Sequence, residues 1–141
     1  MKTSISPISN FRTQVAPRVY VVHAPLRHDR ATGRWVARVD LSPAEEFGTL
    51  VHLLPPQSGG NDRVDLPALA AELAVMLENY TPDDYLLPVG HPALIAAAAA
   101  YAARRTGGLL RVLEWNRDPV GLDAGYYRPV ELRLWDDREG R

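Results

Sequence analysis

The chain has 141 residues, 46% apolar and 23% charged, with a formal charge of −1 and no cysteine. This length suits one domain with a core of its own, and the composition argues against a disordered chain. The missing thiols exclude disulfides, thiolate metal sites and a cysteine nucleophile, and the near-neutral charge gives no global field for nucleic acid or membranes.

No apolar run reaches the roughly 18 residues of a membrane span. Lys2 is the sole lysine and no apolar stretch follows it, so no signal peptide is expected and the location is read as cytoplasmic. The arginine bias is read as the mark of a GC-rich genome rather than as selection for phosphate recognition. Residues 1–16 read as a flexible N-terminal arm, 17–136 as a single α/β domain and 137–141 as a charged tail.

Val19 to His23 is a β-branched and aromatic run predicting a strand buried on both faces. Pro25 ends it, residues 28–33 are rich in turn formers, and Trp35 to Val39 predicts a second strand, so residues 19–39 are expected to form a hairpin or meander. Ser42-Pro43-Ala44-Glu45 has the form of a capping box opening a short helix that Gly48 stops. Thr49 to Leu54 predicts a third strand, and Gln57 to Arg63 a polar loop.

Asp65 is placed to cap a helix whose Leu66, Leu69, Leu73, Met76, Leu77 and Tyr80 recur at helical spacing and predict one core-facing stripe. Tyr85 to Val89 predicts a short fourth strand. Pro92 opens an alanine-rich helix through about Arg105, which Gly107-Gly108 ends. So small and apolar a helix is expected to be covered on its far side as well. Leu109 to Trp115 and Tyr126 to Trp135 predict a fifth and a sixth strand, the sixth antiparallel and, from Pro129, at an edge. The expected architecture is α/β, two or three layers: a mixed sheet of five or six strands around a central β-α-β-α-β unit, with an N-terminal hairpin and a C-terminal antiparallel edge strand.

Leu87-Pro88-Val89-Gly90-His91-Pro92 is the leading candidate site. It marks a strand-to-helix junction, where ligands of open α/β sheets gather and where first-turn amides attract anions. Gly90 would let a ligand approach the backbone, Ala93 would offer an amide, and His91 could serve as acid or base near neutral pH. Its bland alternative is a tight turn with His91 capping the helix. If the first strand is central and parallel to the fourth, His23 lies beside Gly90 and the two histidines share a cleft. Arg117, just past the fifth strand, is a further ligand-binding candidate. No histidine pair has metal-ligand spacing, and no Gly-x-Ser-x-Gly elbow is present, so neither a metal site nor a cofactor is expected. Arg27, Arg30, Arg34 and Arg38 cluster around Trp35; that patch reads as a solvated hairpin face before it reads as a nucleic-acid surface. Trp115-Asn116-Arg117 and Tyr126-Tyr127 are candidates for a subunit or partner contact.

The stretches Val19 to Pro25, Asp40 through Pro55 and Asp84 to Trp115 together resemble small α/β proteins of tailed phages and prophages. That resemblance implies a phage setting, where such proteins bind host or defence components; it implies no activity. Leu87 to His91 followed by a helix is similar, over about a fifth of the chain, to an element of viral ring nucleases. Those are dimeric anti-CRISPR enzymes that cleave cyclic tetra-adenylate, and the likeness implies a catalytic role for His91. Pro92 directly after the histidine departs from their pattern. The leading expectation is therefore a binding or regulatory protein without catalytic activity, working on a host or defence component, homodimeric through the alanine helix or the edge strand. A nucleotide-binding or cyclic-oligoadenylate-cleaving protein using His91, with His23 or Arg117 assisting, is the alternative; a virion or assembly component is a third.

Overall fold

The computed structural model describes residues 16–55, 65–117 and 125–136. The expected arm up to residue 15, the polar loop and the charged tail lie outside the described residues. A five-stranded sheet has the order β4-β1-β5-β6-β7. Its members are β1 (Arg18–Val21), β4 (Thr49–His52), β5 (Tyr85–Leu87), β6 (Leu109–Asn116) and β7 (Tyr126–Arg133). The first four run parallel, and β7 pairs antiparallel with β6 at the edge. β2 (Leu26–Asp29) and β3 (Arg34–Ala37) form a separate two-stranded ribbon.

The expected α/β fold is present, with its β-α-β-α-β unit, hairpin and edge strand. β1 is an interior strand, second from the β4 edge, and its alternation divides the core. Tyr20 and Val22 face two helices, α1 (Leu66–Met76) and α2 (Pro92–Arg105), in a cluster with Leu73, Leu86, Leu94 and Ala98. Val19 and Val21 face the other way, toward Ala44 and Leu41 of the loop and 3-10 helix at Ser42–Phe47. Both faces of β1 are therefore dry, as its unbroken apolar run requires.

Local signals placed α2 well: His91 caps it, Pro92 opens it and Thr106 follows it. α1 packs along α2, covering part of the alanine surface, while Ala93, Ala96 and Ala100 stay exposed. Asp65 caps α1 by accepting a hydrogen bond from the Ala68 amide at 3.2 Å. In three places the structure differs from the sequence reading. Met76 is exposed, because α1 ends there and the buried stripe passes to Leu77 and Tyr80 in the turn beyond. The capping box does not form: the Ser42 amide and hydroxyl both donate to Asp40 (3.0 and 2.7 Å), so Asp40 organises this turn. The hairpin is confined to Leu26–Ala37, because β1 is claimed on both sides by β4 and β5.

At the amino end of the sheet, buried Asp84 accepts hydrogen bonds from the Arg18 amide and from the amide and hydroxyl of Thr81 (2.9, 2.9 and 3.0 Å). This ties β1 to the turn before β5.

Candidate functional site

Connections leave β1 and β5 in opposite directions. β1 leads outward to β4, while β5 leads through α2 to β6. The carboxyl ends of β1 and β5 thus bracket the topological switch point of the sheet, the usual ligand crevice of such folds. His23 and Gly90 meet there. The Val22 and His23 amides donate to the carbonyls of Leu87 and Val89 at 3.3 and 3.1 Å. A Cβ on Gly90 would stand 2.7 Å from the His23 carbonyl oxygen and 2.9 Å from the His23 Cβ, so only glycine lets the two turns close.

His23 is buried, and its Nδ1 has no hydrogen-bond partner among the described residues. Burial pushes its pKa below the ordinary value, with the Pro55 carbonyl opposing that shift. His91 does something different. It is exposed, and its Nδ1 accepts a hydrogen bond from the Ala93 amide at 3.0 Å, forming the cap of α2. The amides of Leu94 and Ile95 donate to the His91 carbonyl, each at 3.0 Å. With Pro92 lacking an amide, the first turn of α2 has no free donor turned toward an anion. Arg117 lies exposed past β6, and no hydrogen bond among the described residues joins it to His91.

A concavity lies next to this junction. β5 stops after Leu87, while β6 and β7 run on as a ribbon. The gap between them is a cleft of about 810 Å³, walled by Val39, Pro43, Val89, Leu113, Trp115 and Tyr127. Its charged lining residues are Asp40 and Glu114. The Trp115 and Tyr127 rings meet edge to face at 4.8 Å. Burial raises the Tyr127 pKa, and the nearby Asp40 charge adds to the shift. Asp40 is held below the ordinary carboxylate value by its hydrogen bonds from Ser42, and Glu114 by its hydrogen bond from Arg128.

The sequence reading reached Leu87 to Val89, Trp115 and Tyr127 separately but missed the cleft they share. Val39 and Pro43 carried no signal, because their role depends on a loop returning across the sheet. Arg111 also takes an unexpected part. It lies opposite Glu131, yet its guanidinium donates to the Pro82 carbonyl (3.0 Å) and the Tyr85 hydroxyl (2.6 Å). The cross-strand ion pair is Glu114 with Arg128 at 2.7 Å. No group of three or more His, Asp or Glu among the described residues is placed to hold a metal ion.

The family of phage Pam3 gp32-like proteins matches residues 17–134. The chain belongs to this family. The match spans the whole described sheet and agrees with the phage resemblance; it lends nothing to the ring nuclease likeness. No curated protein matches the chain, and no solved structure does.

Proposed function

We propose that this phage-family protein works by binding another protein, with the cleft between the end of β5 and the β6–β7 ribbon as its working surface. The observation that carries this reading is the lining: apolar walls, an aromatic pair and two carboxylates. A volume near 810 Å³ is in the range of true binding sites, and aromatic anchors are what interface hot spots use. A phosphate-bearing ligand would meet the carboxylates of Asp40 and Glu114, and the first turn of α2 has no amide free for it. Binding therefore fits better than the nucleotide-cleaving alternative through His91. The partner presents an apolar segment, and its sources are host or defence components and the phage's own proteins, this chain among them.

The test is photo-cross-linking from position 115 during phage production, with the cross-linker at exposed Glu72 of α1 as control. The expected result is a defined protein adduct from position 115 that is absent from position 72 and lost in Val39→Arg. Identical adducts from both positions, or none from 115, would overturn the reading. So would stabilisation of the purified chain by cyclic oligoadenylates with loss of the effect in His91→Ala.

A further inference from the structure

Among the described residues the β2–β3 ribbon pairs with no strand of the main sheet, and neither of its strands contains a buried residue. Its register puts Leu26, His28, Trp35 and Ala37 on one face, with Arg27, Asp29, Arg34 and Val36 on the other. Trp35 is 47% exposed and rests edge-on against His28 at 5.2 Å. A lone two-stranded ribbon is marginal in water, yet the turn of this one is carefully closed. Asp29 accepts from the Ala31 amide (3.0 Å) and the Thr32 hydroxyl (3.1 Å), and the Gly33 amide donates to the Asp29 carbonyl (2.8 Å). The base is closed by the Arg38 amide donating to the Pro25 carbonyl at 3.0 Å. The ribbon is thus an ordered arm with an apolar face that its own body leaves uncovered.

Its charge contrasts with the rest of the chain. Residues 26–38 carry four arginines and one aspartate, a formal +3 within a total of −1, which leaves −4 elsewhere. The cleft has the opposite sign at its margin, at Asp40, with Glu114 beside it already paired with Arg128, around an apolar floor. Arm and cleft also adjoin, since the ribbon runs directly into the cleft wall at Val39-Asp40, while Trp35 is not among the residues lining that cleft.

From this complementarity we infer that the occupant of the cleft is the arm of a second copy of the chain. Trp35 packs against Trp115 and Tyr127, and the net positive charge of the arm is brought to the acidic margin of the cleft at Asp40. Because arm and cleft are neighbours, a two-fold pair places each arm over the other's cleft, making two identical contacts. This route to a dimer differs from the alanine helix, whose inner faces are taken by α1 and β6, and from edge pairing along β7, where Pro129 lacks an amide. The inference rests on the reading of the cleft as a protein-binding surface and names its partner.

The test uses the full-length chain in sedimentation equilibrium between about 1 and 100 µM. Trp35 and Val39 are both exposed, so Trp35→Ala and Val39→Arg are expected to keep the fold, checked by circular dichroism. The wild-type chain is expected to self-associate, and each variant to weaken that association at least tenfold. Mixed one to one, the two variants are expected to pair, since one retains the cleft and the other the arm. A monomeric wild-type chain would overturn the inference, as would self-association that neither variant changes or a mixture that fails to pair. So would a monomer that binds duplex DNA through Trp35. If position 115 still cross-links to a different protein, the cleft remains a binding surface and only the self-docking is lost.

Discussion

Replacing Gly90 with alanine puts the packing of the switch point to a quantitative test. Gly90 sits at φ +115, in the region that disfavours a side chain, and its missing Cβ would fall 2.7 and 2.9 Å from His23 atoms. Left-handed strain at a non-glycine residue costs about 1–2 kcal/mol, and forcing a carbon into a packed backbone contact adds about 1–3 kcal/mol. Neither neighbour can yield cheaply, because His23 is anchored by its amide to Val89. The sum, about 2–5 kcal/mol, corresponds to a fall in Tm of roughly 7–17 °C for a domain of this size. Gly33 supplies the control. It has φ +73 at the tip of the solvated ribbon, and a Cβ there meets nothing within 4 Å. Gly33→Ala should therefore cost only the strain, about 1 kcal/mol, some of which fraying of the ribbon would relieve. Thermal and urea denaturation followed by circular dichroism would measure both. Equal losses for the two variants, or a Gly90→Ala Tm within about 3 °C of wild type, would refute the claim that His23 and Gly90 are in obligate contact.

Asp84→Ala removes the acceptor of three hydrogen bonds and strands two backbone amides, so urea unfolding should show a loss of about 2–4 kcal/mol. Arg128→Ala breaks an ion pair whose side chains are more than half or half exposed, and should change stability by less than about 0.5 kcal/mol in the same assay. His23 gives a pH signature. Its folded pKa lies below the ordinary 6.5, so the unfolded chain takes up the proton first as pH falls, and the stabilising contribution of neutral His23 is complete above about pH 6.5 and lost progressively below it. Scanning calorimetry at about pH 7.5 and pH 5 should show a larger drop in Tm for wild type than for His23→Gln; equal drops would contradict this.

Where information was local, the sequence was readable. α2 is framed by a capping histidine, a proline and two glycines within its own segment, and β1 declares its double burial through an unbroken apolar run. The meeting of His23 and Gly90 followed from topology, once β1 and β5 were taken as parallel neighbours. β2 carries no strand signal of its own, because Leu26-Arg27-His28-Asp29 has no burial period: both faces of the ribbon meet solvent, so nothing selects for alternation. Asp40 was passed over as a turn organiser because Ser42 matched a familiar pattern and both hydrogen bonds run the other way. The cleft was out of reach for a different reason. Val39, Val89, Leu113 and Tyr127 come from four segments, and only the early end of β5 opens a space between them.

The strand order has a consequence for the chain as it is being made. β1, an interior strand of the sheet, leaves the ribosome before either of its partners, which are Thr49–His52 on one side and Tyr85–Leu87 on the other. Until Leu87 has emerged, Val19 and Val21 have no second neighbour, and both edges of β4 and β1 together form an incomplete parallel pair. Contacts so far apart in sequence form slowly, and an unpaired apolar strand is open to wrong partners in the interval. Completion of the sheet is thus a late event in synthesis, and nascent chains released before β5 are expected to be captured by chaperones or to aggregate.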